Sequence, residues 1–408
     1  MLTSPLRVIS IPEGGFCMPD ELELIQQRYE TTLNDSILTF WIDHGYDRTH
    51  AGMLTGLDRD GSILETDKSV WFQGRSLWTF STAYNEFKRN PVYLEVASSC
   101  ASFLEQHCFD TDGRMFFRVT IDGKPVVKRI RYIFSETFAV IGFASYSRAS
   151  GQKAYAQKAL ALFRKVLEWK DDVRLLIPKF MPETRASRHF GLPMILLNTA
   201  QELRKACPEE EWLNTVIDDF IKEIRTYFVR PELELVLEQC ALDGSLQADH
   251  FEGRLLNPGH AIEGAWFILN EARYRNNDAD LIRLGCDMLD WMWNVGWDTE
   301  YGGLFYVRDA LKKSLFDYWH DMKFWWPHNE AIIANLTAYS LTGAARYLDR
   351  FYQLDSYVHT HFADKDFGEW FGYLHRDGSV STQLKGNMFK GPFHIPRMYL
   401  ACLSVLNR

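Results

Sequence analysis

The sequence of 408 residues lacks the features of several large functional classes. No run of Lys or Arg is longer than a pair, and the net formal charge is −9, which argues against a nucleic acid or an anionic membrane as partner. No apolar stretch approaches the roughly 20 residues that span a bilayer, and residues 1–19 lack the charged start and apolar block of a secretion signal. We therefore expect a cytoplasmic protein that binds a small neutral molecule.

Cysteine pairs and phosphate-binding motifs are also missing. The seven cysteines are scattered from Cys17 to Cys402 without a Cys-x-x-Cys pair, a distribution typical of reduced thiols rather than of a disulfide framework or a zinc site. His359 and His361 diverge if they lie on a helix, and no third ligand is near in the sequence, so we expect no metal site. No Gly-x-x-x-x-Gly-Lys-Ser/Thr run occurs, and no phosphate loop is predicted.

Polar side chains at helix starts recur along the whole chain, at intervals of roughly 50 to 70 residues. They are Arg75, Glu136, His189, His260, His328 and His394. Residues 261–269 and 331–336 are apolar nearly all the way round, as expected of helices in an inner ring. Residues 154–170 and 212–227 keep a polar face that suits an outer ring. A repeat of this length predicts one large catalytic domain over residues 1–408.

Short alternating segments lie between the helices, at residues 47–61, 110–123, 298–309 and 364–378. Most of them contain Asp-Gly, which tolerates the positive φ of a tight turn, so that β-hairpins are predicted. Each segment precedes a polar helix start. The sequence therefore predicts an all-α fold, an (α/α)6 barrel with short β-hairpins at the mouth that holds the active site.

Two histidines are the leading candidate bases. His260 and Glu263 lie three positions apart on one helix, so Glu263 could bond the imidazole and raise its basicity, while the helix N-terminus favours the neutral ring. His394 stands between Pro392 and Pro396, which hold the backbone rigidly ahead of the last helix. Rigid placement suits a catalytic base.

Other side chains near the helix starts are candidates for substrate binding. Glu330 could act as an acid, hold a substrate hydroxyl or serve only the helix dipole. Arg75 lies among aromatic residues, where a guanidinium usually meets a ligand oxygen or a carboxylate, here Glu136 or Glu330. Flat faces for a sugar ring are offered by Trp325, Trp326 and Trp370, although core packing explains most tryptophans as well.

These motifs resemble the N-acylglucosamine 2-epimerase family from end to end. The matching blocks are residues 71–75 (WFQGR), 133–136 (IFSE), 257–267 (NPGHAIEGAWF), 301–306 (YGGLFY), 325–331 (WWPHNEA), 368–373 (GEWFGY) and 389–397 (FKGPFHIPR). The resemblance implies an (α/α)6 barrel, often a homodimer, that interconverts N-acetyl-D-glucosamine and N-acetyl-D-mannosamine, with ATP as an activator that is not consumed. It marks as functional Arg75, His260, Glu330 and His394, with Glu263 beside His260.

Epimerisation next to a carbonyl removes the C2 proton of the open-chain sugar and returns a proton to the other face. Two bases on opposite sides of a planar enediolate, with a cation near the carbonyl oxygen, meet that need. His260 and His394 are predicted to be the bases, Arg75 the cation, and Glu330 a group that helps to open the ring or orients a hydroxyl. Contacts with the substrate are expected from Trp71, Glu136, Trp325, His328 and Trp370. No cofactor is expected to take part in the chemistry.

Several other functions stay open as alternatives. Cellobiose 2-epimerases resemble the chain too, but they usually carry a further His at the start of the third inner helix, where residues 190–198 are apolar here. The N-acyl sugar branch is therefore favoured over a cellobiose 2-epimerase or an aldose-ketose isomerase. An inverting glycoside hydrolase would need two carboxylates about 6.5–9.5 Å apart as its central feature, and a non-catalytic binding protein would not need paired histidines.

Overall fold

The computed structural model describes residues 20–128, 133–172, 174 and 181–407, and this part of the chain is mainly helical. Its long helices are α1 Asp20–Thr32, α2 Val70–Glu86, α3 Pro91–His107, α4 Phe134–Ser150, α5 Lys153–Trp169, α6 Gly191–Ala206, α7 Trp212–Glu223, α8 Pro258–Tyr274, α9 Ala279–Gly296, α10 Trp325–Thr342, α11 Ala345–His361 and α12 His394–Leu406. Shorter pieces are the helices Pro182–Arg185 and Phe251–Arg254 and the π-helical segments Leu33–Leu38, Trp41–Gly45 and Ile224–Phe228.

The even-numbered helices form a closed inner ring. Each packs against the next, from α2 through α4, α6, α8 and α10 to α12, and α12 packs back against α2. The odd-numbered helices lie outside the ring. Helices α3, α5, α7, α9 and α11 each pack against the inner helix that precedes them in the chain, whereas α1 packs against α12. The prediction of an (α/α)6 barrel is therefore confirmed.

Burial follows the two rings. Helices α8 and α10 are buried around most of their circumference, whereas α5 and α7 bury one stripe and expose the other. The apolar core fills the space between the rings and includes Trp41, Phe80, Phe143, Phe163 and Tyr347, all fully buried. Six cysteines within the described residues are buried free thiols, as predicted, and Cys17 lies outside the described residues.

Short antiparallel sheets adjoin the N-terminal ends of the inner helices. The strands are Gly56–Leu57, Ile63–Glu65, Lys68–Ser69, Arg118–Val119, Pro125–Val127, Arg188–His189, Val229–Arg230, Leu235–Val236, Gln239–Cys240, Leu255–Leu256, Arg308–Asp309, Lys323–Phe324, Tyr373–Leu374 and Val380–Thr382. Gly61, Gly123 and Gly378 close hairpin turns with φ between 83° and 87°, as the Asp-Gly signal predicted. The segment 298–309 differs, because Arg308–Asp309 pairs with Leu255–Leu256 rather than within its own hairpin.

In three of the hairpin segments, the first aspartate forms an ion pair with a buried lysine. The pairs, each with Nζ to carboxylate distances of 2.8–2.9 Å, are Lys68 with Asp47, Lys323 with Asp298, and Lys385 with Asp364. Each aspartate also accepts backbone N–H groups from its own loop. The recurrent Asp at the start of these segments is thus a structural feature, since it fixes the loops that surround the barrel mouth.

Candidate active site

A buried ion cluster closes the interior of the barrel beneath the inner helix starts. His394, in the first turn of α12, has its Nδ1 2.8 Å from Oε1 of Glu330 on α10 and 3.2 Å from Nη2 of Arg397. Arg397, one turn further along α12, pairs with the same Oε1 at 2.7 Å and also with Glu263 of α8. All four residues are at least 90% buried. Three inner helices therefore contribute one charged network.

Glu330 is the centre of this network. Its second oxygen, Oε2, accepts the indole N–H of Trp266 at 2.7 Å, so both carboxylate oxygens have fixed donors. Burial raises the pKa of Glu330 above its usual range, although Arg397 opposes this. Because Nδ1 of His394 faces this carboxylate, the Nε2 atom of the ring points away from Glu330.

His394 is kept neutral by its surroundings. Burial holds the pKa of His394 well below its ordinary value, and the positive charges of Arg397 and Arg75 act in the same direction. A neutral imidazole at physiological pH can accept a proton. The position and ionisation of His394 thus suit a general base.

His260 lies in the first turn of α8 and is more accessible, with 30% of its side chain exposed. Asn257 caps the helix by accepting the backbone N–H of His260 at 3.1 Å. The ring bonds to Glu238, whose carboxylate oxygens lie 3.0 and 3.1 Å from Nδ1. The prediction that Glu263 bonds His260 is therefore wrong: Glu263 turns to Arg397, because the buried guanidinium is the stronger partner for a buried carboxylate.

The indole ring of Trp326 lies close to both imidazoles. Its ring centroid lies 5.0 Å from that of His260 and 5.9 Å from that of His394. Only 9% of Trp326 is exposed, so the indole is fixed. Two imidazoles from helices α8 and α12 consequently stand beside one aromatic wall at the barrel mouth.

Arg75 lies on the first turns of α2, within an aromatic enclosure. Its guanidinium carbon is 4.1 Å from the Phe138 ring centroid and 5.0 Å from that of Phe393, and Nη1 donates to the carbonyl of Phe389 at 3.0 Å. Phe393 also packs against His394, with 5.1 Å between the ring centroids, and so links Arg75 to the cluster. The role of Arg75 beside the carbonyl oxygen of a substrate stays a prediction.

Two predicted substrate contacts have structural partners instead. Glu136 is fully buried, and its Oε1 accepts Nε–H of Arg114 at 2.8 Å and the backbone N–H of Met115 at 2.9 Å. His328 is also fully buried, donates from Nδ1 to the carbonyl of Phe324 at 2.6 Å and accepts the N–H of Leu304 at Nε2 over 2.8 Å. These contacts support structural roles and not the predicted contacts with substrate.

The predicted tryptophan contacts divide by position. Trp370 is 1% exposed and packs against Tyr399 and Phe362 in the core, away from the histidine pair. Trp325 is 2% exposed but has its ring 6.2 Å from that of His394. Trp71 lies beneath Arg75, with the guanidinium 5.5 Å from its ring. Trp325 therefore packs against His394 and Trp71 against Arg75, whereas Trp370 belongs to the core.

Potential metal ligands also meet in this cluster, where Glu263, Glu330 and His394 offer ligand atoms within 4.8 Å of one another. Arg397 already supplies a positive charge to both carboxylates. A divalent cation would have to compete with this guanidinium for the same oxygens. The donor set thus fits a protein ion cluster better than a metal centre.

Sequence reasoning missed Arg397, Trp266 and Glu238 as members of the site. Arg397 follows His394 by three positions, the same spacing that drew attention to His260 and Glu263, and that spacing was a usable signal. Trp266 continues the same face of α8, three positions after Glu263. Glu238 comes from a loop 22 residues before His260, and no local pattern connects the two.

The chain matches known proteins over most of its length. The family described as N-acylglucosamine 2-epimerase (GlcNAc 2-epimerase) matches residues 52–394. N-acylglucosamine 2-epimerase of Bos taurus is 37% identical over 379 residues, which cover 91% of this chain and 89% of the relative. The chain belongs to the N-acylglucosamine 2-epimerase family. The human relative of the same name is 34% identical over 378 residues, covering 91% of this chain and 88% of the relative.

Solved structures agree on the fold. Cellobiose 2-epimerase from Spirochaeta thermophila superposes with a TM-score of 0.81 at 23% identity, and the match covers 95% of this chain and 98% of the other. At this level of identity the likeness concerns the barrel alone. Membership of the N-acylglucosamine 2-epimerase family makes this protein a carbohydrate epimerase of the isomerase class. Among the described residues, no helix is long and apolar enough to cross a membrane.

Proposed function

We propose that this epimerase interconverts N-acetyl-D-glucosamine and N-acetyl-D-mannosamine through a two-base exchange at C2. The observation that carries the proposal is the pair of imidazoles, His260 and His394, on different helices beside Trp326. In each imidazole Nδ1 is bonded to a carboxylate. At His260 the carboxylate favours the ring with Nδ1 protonated and the other nitrogen as the proton acceptor. Nδ1 of His394 lies between Oε1 of Glu330 and Nη2 of Arg397, at 2.8 and 3.2 Å.

The reaction begins from the open-chain sugar. One histidine takes the C2 proton, and the electron pair of the broken C–H bond moves into the C1–C2 bond while the carbonyl oxygen becomes the enolate oxygen. The other histidine, in its protonated form, returns a proton to the opposite face of C2. The positive charge of Arg75 stabilises the enolate, since a fixed cation in a water-poor site acts strongly on developing negative charge.

Glu330 and Arg397 hold His394 in place during these steps. When His394 gains a proton, Glu330 stabilises the imidazolium, and the adjacent Arg397 favours the ionised form of the buried carboxylate. Glu263 balances the remaining charge of Arg397. Glu330 has both oxygens occupied by protein donors, which favours this positioning role over direct work on the sugar ring.

The choice of an N-acyl sugar is supported at the third inner helix, α6. Phe190, next to its start, is 1% exposed, and its ring lies so close to Gly264 of α8 that a Cβ there would stand 2.6 Å from it. The start of α6 is thus apolar, in the stretch where the resemblance to cellobiose 2-epimerases would require a histidine. The shared Arg397 between Glu263 and Glu330 also disfavours an inverting hydrolase, which needs room for water between two carboxylates.

ATP activation, a homodimer and a cytoplasmic location belong to the proposal as implications of family membership. The purified protein should convert N-acetylmannosamine to N-acetylglucosamine and back, faster with ATP and without release of ADP. Proton NMR with N-acetylmannosamine and with cellobiose, each with and without ATP, tests this directly. Turnover of cellobiose alone would reverse the choice of substrate, and equal rates with and without ATP would remove the activator. Sedimentation velocity tests the dimer.

A further inference from the structure

Glu238 is held on a rigid backbone next to the site. It lies between the strands Leu235–Val236 and Gln239–Cys240, and the second of these pairs with Arg188–His189. Its carbonyl accepts the N–H of Phe190 at 3.0 Å. The strand before Glu238 pairs with Val229–Arg230, and the strand after it belongs to the sheet that leads into α6. Both flanks of Glu238 are therefore tied to a sheet, and its side chain reaches α8 from a fixed point.

The carboxylate of Glu238 faces the imidazole of His260. Both oxygens lie within hydrogen-bonding distance of Nδ1, at 3.0 and 3.1 Å, with 22% of the Glu238 side chain exposed. An ionised carboxylate only accepts hydrogen bonds, so Nδ1 is the protonated nitrogen of the ring. Asn257 fixes the backbone of His260 by accepting its N–H, and Trp326 packs beside the ring.

The carboxylates that bond the two histidines differ in their other ion-pair partners. Glu330 shares its charge between His394 and Arg397. Glu238, within the described residues, forms its ion pair with His260 alone. The whole charge of Glu238 is thus available to an imidazolium at His260, whereas the Glu330 charge is already partly neutralised.

We propose that Glu238 is the positioning residue of His260: it fixes the Nδ1–H tautomer and stabilises the imidazolium that forms when His260 takes the C2 proton. The catalytic part of this inference, the stabilisation of the imidazolium, rests on the proposed two-base function. Its structural part, the tautomer of His260, stands independently of the substrate. Among the described residues, His394 of α12 is a further titratable group close enough to interact with His260.

The first test observes the tautomer without substrate. In protein labelled with 15N-histidine, the ring signals of His260 are assigned by their loss in His260→Asn. The wild type should show His260 with its proton on Nδ1, and Glu238→Gln should lose that preference, because an amide can also donate to Nδ1. Asp249→Asn is the matched control, since Asp249 bonds Nδ1 of His250 at 2.9 Å on the segment that leads into the same helix. A His260 spectrum unchanged by Glu238→Gln would overturn the inference.

The second test measures turnover of the full-length enzyme. Glu238→Gln should lower kcat about 10–100-fold with KM within about threefold, and Glu238→Asp should recover part of the loss. Asp249→Asn should leave kcat unchanged. The double variant Glu238→Gln/His260→Asn should be no slower than His260→Asn, because Glu238 acts through His260. Equal losses from Glu238→Gln in the presence and absence of His260 would contradict the proposal.

The two tests separate the two claims. If the wild type epimerises no N-acetyl sugar but shows the Nδ1–H tautomer that depends on Glu238, the proposed function fails and the positioning contact stands. If the wild type is active and Glu238→Gln keeps full activity and the same tautomer, the inference fails and the proposed function stands.

Discussion

The imidazole of His394 and the carboxylate of Glu330 lie 2.8 Å apart inside the barrel, although 64 residues separate them in the chain. The closed ring of inner helices makes this contact, because it turns the first turns of α10 and α12 toward one axis. Arg397 and the indole N–H of Trp266 are the other two donors to the carboxylate of Glu330. The predictions below test what this arrangement does.

Glu330→Gln should impair chemistry more than folding. The amide keeps the shape of the side chain but removes the charge that orients His394, so kcat should fall about 10²–10³-fold. Steady-state kinetics with N-acetylmannosamine and the thermal midpoint measure the two effects. The matched control is Glu136→Gln, which removes another fully buried carboxylate, paired with Arg114. That variant should lose stability and keep kcat; a loss of kcat equal to that of Glu330→Gln would contradict the assignment.

Arg397→Met should destabilise the fold. Its removal leaves Glu263 and Glu330 as two buried carboxylates without their shared cation, a change that typically costs about 3–5 kcal/mol. Urea unfolding of the variant and the wild type measures the difference. Arg59→Met, which removes a partly exposed guanidinium from Asp364, is the comparison and should cost less. A loss below about 1 kcal/mol for Arg397→Met would show that the cluster is not a structural ion network.

His328 should make stability depend on pH. Burial lowers the pKa of His328 to about 3, from 6.5 for an ordinary histidine. The unfolded chain therefore binds the proton more readily, so this contribution is complete above about pH 6.5 and is lost as the pH falls toward 3. His328→Gln should be less stable at pH 7 by about 1–3 kcal/mol but should lose less on acidification. Urea unfolding at pH 7, 6 and 5 tests this; parallel losses in both proteins would show that folding does not lower the proton affinity of His328.

The fold was largely predictable because its determinants are local and repeated. Apolar periodicity in α8 and α10, and Asp-Gly turns such as Asp60-Gly61, appear in the sequence one unit at a time. The ring closure between α12 and α2 has no local signal, but a repeat of six units implies it.

The site was predictable only in part. His260 and His394 could be identified because they open helices in marked Pro/Gly segments. Their partners could not be paired in advance, since Glu238 and Glu330 reach them from other helices and loops. Glu136 and His328 share the same sequence context as the site residues, and only their burial and bonds reveal a structural function.

The most direct test of the central claim, that His260 and His394 are the two bases at C2, is proton NMR of both epimers in D₂O with the variants His260→Asn and His394→Asn. The wild type should place deuterium at C2 as it epimerises. Each variant should fold normally, lose about 10²–10⁴-fold in net epimerisation, and still exchange the C2 proton of one epimer, a different epimer for each variant. Near-full epimerisation by both folded variants would contradict the account.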